Sequence, residues 1–228
     1  LAVHELLKMK GLQTATLEGM LAMLAAFVLT IPMGNFLKFL PTDGNIVAYG
    51  IVVALLLSST VFGSNYTFDD VVYPIASSFY VGFGFHSLID ARIMNIDKVL
   101  LALFIVWATD SGAYLVGTRY GQRKLLPRVS PNKTIEGSIG GILSAVVVAA
   151  IFMIIRPAVK TPYGFLVTLT LTIIFSVAGQ LGDLVESAIK RHFGVKDSGK
   201  FIPGHGGVLD RFDSLLFVLP LMHFFGLF

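Results

Sequence analysis

Five acidic residues stand inside or against long apolar runs: Asp110 in "FIVWATDSGAYLVG", Asp183 and Glu186 in "VAGQLGDLVESAIKR", and Asp210 and Asp213 in "GGVLDRFDSLLF". A carboxylate at a bilayer centre costs about 2.5–3.5 kcal/mol on insertion scales, so such residues usually face a bundle interior and take a partner. Residues three apart share one face of a helix. Asp183 with Glu186, and Asp210 with Asp213, therefore form two acidic stripes, while Arg211 points elsewhere. Carboxylate oxygens are the ligands that hard cations select, and magnesium commonly takes one or two of them plus substrate phosphates. That makes Asp183, Asp210 and Asp213 candidate metal ligands. Glu186 reads equally well as half of a surface pair with Lys190 at i,i+4. Asp110 reads either as a site residue or as a structural hydrogen-bonding group.

Two basic, turn-rich segments lie close to these acids. Residues 187–213, "SAIKRHFGVKDSGKFIPGHGGVLDRFD", hold eight charged side chains, two histidines and a glycine-rich loop between almost wholly apolar flanks. Residues 119–141, "RYGQRKLLPRVSPNKTIEGSIGG", hold the other. Here "SPNKTIEGS" predicts a helix start, with Ser130 as cap, Pro131 at the first helical position and Glu136 in the first turn. A helix N-terminus with Lys133 beside it is an anion site. That signal is weak alone and gains value from lying on the same membrane face as the carboxylates.

The elements that must position these residues are membrane helices. The chain has 228 residues, 55% hydrophobic and only 14% charged, with mean hydropathy +0.79, against roughly 25% charged in soluble domains. The reading is an all-α, polytopic integral membrane protein. Apolar runs long enough to span, about 17–25 residues, fall near 17–37, 46–62, 70–89, 98–118, 135–156, 163–189 and 208–228, giving seven candidate helices. With the N-terminus inside, twelve Lys and Arg fall on the cytoplasmic side against five outside, the expected bias. This orientation puts the basic loops 119–134 and 190–207 on the cytoplasmic face together. Net charge is only +3, which gives no argument for nucleic acid. The absence of cysteine excludes disulfides, thiolate catalysis and Cys-ligated zinc. The opening "LAVHELLKMKGL" lacks the features of a signal peptide and reads as a helix entered part-way, so further membrane helices are expected upstream.

Residues 187–213 resemble the signature of phosphatidate cytidylyltransferases, the CDP-diacylglycerol synthases. The matching elements are Ser187, "KR" at 190–191, "KD" at 196–197, "HGG" at 205–207 and "DRFD" at 210–213. "ATDSGAYLVG" and "SPNKTIEGSIGG" resemble further blocks of that family in the same order. Asn132 stands where a lysine is common. The likeness is good over residues 98–228, a catalytic transmembrane region, whereas residues 1–97 match only as hydrophobic spans.

The resemblance implies transfer of the cytidylyl group of CTP to phosphatidic acid, at the cytoplasmic face of a bacterial-type inner membrane. One substrate is a soluble polyanion and the other a lipid, so the site must open to both phases. It implies Mg2+ on Asp183, Asp210 and Asp213. Three carboxylates exceed one divalent ion by one charge, so a second, monovalent cation is compatible. Lys190, Arg191, Lys196 and Arg211 would screen the triphosphate and the lipid phosphate. Ser130, Lys133 and Thr134 are the next phosphate candidates, with Asp110 and Asp197 completing the substrate site. His205 shapes the tight glycine loop or caps the last helix. A homodimer fits the family, though no residue shows it. The alternatives are a CTP-dependent transferase acting on another lipid, and a cation-coupled transporter, which would place its acids nearer the midplane.

Overall fold

The computed structural model describes residues 1–32, 44–62, 67–157, 159, 161–201 and 206–228. They form helices α1 (Ala2–Met9), α2 (Leu17–Thr30), α3 (Gly44–Phe62), α4 (Phe68–Met94) and α5 (Ile96–Tyr120), then strands β1 (Lys124–Leu126) and β2 (Ser130–Thr134). Helices α6 (Ile135–Ile155), α7 (Phe165–His192), α8 (Leu209–Phe212) and α9 (Leu215–Phe224) follow. The chain divides into two compact units, Leu1–Asp90 with Phe193–Asp210 and Ala91–His192 with Arg211–Phe228. The basic loop after α7 thus groups with the N-terminal helices.

The first unit is built from α1, α2, α3, most of α4 and the loop 193–210. Thr16 starts α2 by accepting the Gly19 N–H at 3.2 Å, one of the four amides a helix N-terminus leaves open. Helices α2 and α4 approach closely at Gly82, where a Cβ would lie 3.0 Å from the Ala26 carbonyl oxygen. The Tyr73 hydroxyl donates to the Leu6 carbonyl at 2.9 Å and ties α4 to α1.

In the second unit α5 and α6 run against each other along most of their length. Lipid tails are as apolar as leucine, so helices in a membrane gain by letting backbones approach through small residues. Gly137, Gly140 and Gly141 of α6 are buried for this reason. A Cβ at Gly141 would stand 2.6 Å from the Thr109 carbonyl oxygen, and one at Gly137 2.7 Å from that of Ala113. Polar contacts supplement the packing. The Thr109 and Ser176 hydroxyls meet at 2.8 Å between α5 and α7, and Arg156 after α6 donates to Asp97 at the start of α5 at 2.8 Å.

Among the described residues four helices are long and apolar enough to cross a membrane: Gly44–Val61, Ile96–Tyr120, Ile135–Ile155 and Phe165–His192. The lipid-ready surface is plain on α6, where Ile139, Leu143, Val147, Ile151 and Ile154 are all exposed. The molecule is an all-α, polytopic membrane protein. Three of the seven expected spans look different in the structure. The run 70–89 lies within the longer α4, which carries Asp69, Asp70, Asp90 and Arg92. The run 208–228 is broken by a turn at Asp213 and Ser214 into α8 and α9. The helix in the run 17–37 ends at Thr30, and its last residues lie outside those described.

The expected helix start at Ser130 is also corrected. "SPNKT" is strand β2, paired antiparallel with β1 so that Lys124 faces Thr134 and Leu126 faces Ser130. The helix begins at Ile135, and its cap is Thr134, whose Oγ1 accepts the Gly137 N–H at 3.1 Å. The hairpin satisfies the backbone of residues 130–134 before the helix can, which moves the cap four residues along. Glu136 does fall in the first turn.

Candidate active site

A cleft of about 560 Å³ opens in the second unit between α5, the hairpin, α6 and α7. Its walls carry Asp110, Tyr114 and Gly117 from α5, Lys124, Asn132, Lys133 and Thr134 from the hairpin, Ser138 from α6, and Gln180 and Asp183 from α7. The hairpin is held over this cleft by Glu136, which accepts the Gln122 and Arg123 amides and the Arg123 Nε, each at 3.1 Å. That grip aims Lys133 inward. Its Nζ donates to Asp183 Oδ2 at 2.5 Å, and Ser187 one turn on donates to Asp183 Oδ1 at 3.3 Å. Beside them Ser138 Oγ donates to Gln180 Oε1 at 2.5 Å, and Gln180 Nε2 returns a bond to the Ser138 carbonyl at 3.3 Å.

Asp213 joins this group from the turn before α9. Gly182 makes room for that turn, since a Cβ there would meet the Asp213 carbonyl oxygen at 2.6 Å. The Asp213 carboxylate feels the charge of Asp183 and, more weakly, of Asp110 and Lys190; Asp110 in turn feels Asp183 and Lys133. The three carboxylates are thus electrostatically linked, with Lys133 bonded to Asp183. Like charges this close repel strongly in a partly desolvated setting, so the cluster favours a cation. Its donors are hard oxygens, the set suited to magnesium. Among the described residues no three acidic or imidazole groups already form a cation cage; Asp183 spends one oxygen on Lys133.

The other sequence candidates lie as follows. Lys133, Thr134, Asp110 and Asp183 line the cleft. Ser130 sits at the far end of the hairpin opposite Leu126. Lys190 donates to the deeply buried Glu186 at 2.6 Å, the pair that the i,i+4 spacing offered. Arg191 is exposed at the end of α7 and Arg211 is exposed beyond the loop. Lys196 and Asp197 are exposed in the first unit. Asp210 belongs to that unit too, where its Oδ2 accepts Ser198 N at 2.9 Å, Ser198 Oγ at 2.7 Å and Gly207 N at 2.7 Å. His205 lies outside the described residues.

Sequence reasoning missed Gln180 and Ser138. Gln180 precedes Asp183 by three positions, so the same-face rule that linked Asp183 to Glu186 pointed equally well backwards. It also missed Glu5, only 4% exposed in α1, which no local pattern connects to a loop some two hundred residues later.

The model of the cytidylyltransferase family matches residues 1–228. A protein of Bacillus subtilis named phosphatidate cytidylyltransferase is 44% identical over 233 residues, covering 98% of this chain and 83% of its own length. Proteins of the same name from Staphylococcus epidermidis and Staphylococcus aureus are 42% and 41% identical over 226 residues, with 98% of this chain and 84% of theirs covered. The match runs through both units, and the chain belongs to the cytidylyltransferase family.

Proposed function

We propose that this chain transfers the cytidylyl group of CTP to phosphatidic acid, forming CDP-diacylglycerol and releasing pyrophosphate. The observation that carries this reading is a cleft lined by Asp110, Asp183, Lys124 and Lys133 beside membrane-crossing helices, in a chain alike over nearly its whole length to proteins named for that reaction. A lipid acceptor and a soluble nucleotide can meet only where helices present a polar opening at the membrane surface.

The chemistry asks little of a base. A phosphate oxygen of phosphatidic acid, ionised at neutral pH, attacks the α-phosphorus of CTP; the new O–P bond forms as the bond to the pyrophosphate oxygen breaks. Catalysis is then alignment of two anions and neutralisation of their charge. Lys133, fixed by the hairpin, supplies a positive charge inside the cleft, and Arg191 supplies another at the end of α7. Lys190 is committed to Glu186, so its part is to hold α7's last turn. Asp183 and Asp213, with Asp110 beside them, would hold magnesium; for Asp210 the ligand role rests on the sequence signature alone. When bound, the ion would neutralise charge on the phosphates and the departing pyrophosphate, and a monovalent companion would balance the third carboxylate. Gln180 and Ser138, locked to each other, give the cleft a rigid polar wall. The excess of basic residues on one side supports an opening toward the cytoplasm, and the bacterial relatives support a bacterial inner membrane.

The test is pyrophosphate release by purified protein in detergent. Release is expected only when CTP, phosphatidic acid and magnesium are all supplied. Release without lipid, or with another lipid phosphate in place of phosphatidic acid and not with it, would overturn the assignment.

A further inference from the structure

The loop before Asp210 is organised by a carboxylate that no motif includes. Glu5 is 4% exposed, and among the described residues it forms no ion pair with lysine or arginine. Its Oε1 accepts the Val208 N–H and its Oε2 the Leu209 N–H, both at 2.8 Å. Oε2 also lies 3.2 Å from Ser198 Oγ, the hydroxyl that reaches Asp210 Oδ2 at 2.7 Å. A hydroxyl has one proton, so Ser198 couples the two carboxylates through a shared hydrogen. Backbone N–H groups 207, 208 and 209 are all consumed, the first by Asp210 and the others by Glu5. The loop therefore offers none of these amides to a phosphate.

The glycines agree with this arrangement. A Cβ at Gly207 would lie 2.6 Å from both Glu5 carboxylate oxygens, and one at Gly199 2.7 Å from Oε1. The space that side chains would fill at both positions is taken by Glu5.

We propose that Glu5 is a positioning residue: its buried carboxylate fixes Val208 and Leu209 and, through Ser198, the orientation of the Asp210 carboxylate. This deepens the reading of the chain as a cytidylyltransferase, and it explains the second glycine of "HGG" by what stands against it. A carboxylate is needed because it accepts from every donor around it. A glutamine of the same shape would turn an NH2 group toward one of the two amides and lose that bond.

The experiment compares wild type, Glu5→Gln and Ser198→Ala in the full chain. Pyrophosphate release is read as kcat and as KM for CTP, alongside the thermal midpoint and hydrogen exchange at amides 207–209. Glu5→Gln is expected to lower kcat of the folded protein about 10-fold or more, the order of one lost charge-assisted hydrogen bond, and to speed exchange at 208 and 209. Ser198→Ala, which removes the hydroxyl contacts to Glu5 and Asp210 but keeps the amide bonds to both, is expected to lower kcat about 3- to 10-fold with a smaller change of midpoint than Glu5→Gln. The double variant should be less impaired than the product of the two, because both break one chain of bonds. Unchanged kcat in either single variant, or unchanged exchange at 208 and 209 in Glu5→Gln, overturns the proposal. The exchange measurement needs no turnover, so inactivity of the wild type would sink the assigned reaction and still leave the Glu5 contacts testable.

Discussion

The two units use buried acids in opposite ways. In the first, Glu5 and Asp210 accept backbone N–H groups and a serine hydroxyl, so both carboxylates hold a loop in place. In the second, Asp183 acts electrostatically on both Asp110 and Asp213, and Lys133 is bonded to Asp183. Carboxylates that take several hydrogen bonds stabilise the fold, whereas carboxylates that repel one another leave a demand for positive charge. The same residue type anchors a loop in one place and meets other carboxylates in the other, and the groups around it make the difference.

Four experiments would break or sharpen this contrast. The largest effect is expected from chelation: stripping divalent ions with EDTA should abolish pyrophosphate release, and magnesium should restore it. Activity that survives exhaustive chelation removes the ion-seeking role. Next, Asp183→Asn or Asp213→Asn should reduce turnover about 100- to 1,000-fold, the order seen for groups that stabilise transition-state charge. The thermal midpoint should hold or rise, since a repelling charge has gone. Asp210→Ala should differ by lowering the midpoint as well, because three donors lose their acceptor; equal midpoints for all three variants would erase the distinction. A smaller effect is expected at Lys133→Met, with KM for CTP raised about 10-fold by loss of one charge-assisted contact, measured by varying CTP at saturating lipid. The smallest belongs to the cap. Thr134→Val should cost about 1 kcal/mol of stability, read from unfolding in detergent, with activity reduced only as far as the hairpin loosens.

Much of the membrane architecture was legible because hydropathy is additive along the chain: α3, α5, α6 and α7 each lie on a run read from composition alone. The places where the reading slipped share a cause. Ser130 has the chemistry of a cap, and Pro131 suits a first helical turn, yet pairing with β1 claimed the backbone of 130–134 and left the capping to Thr134. The run 208–228 is apolar enough to continue as one helix, yet the chain turns at Asp213 and Ser214, and Gly182 of α7 is what makes room there. In both cases a neighbour supplied the partner that decided a local contest.

By itself the sequence determined that this is a helical membrane protein, and that its acids and bases gather near the ends of its last helices. Both follow from residue type and spacing, which a chain carries before it folds. The tertiary structure alone decided which acids are neighbours, that Lys133 reaches Asp183, and that Glu5 closes on a loop two hundred residues away. Hydrogen-bond partners and mutual repulsion depend on distances of a few ångströms between segments far apart in the chain, and no local pattern encodes those.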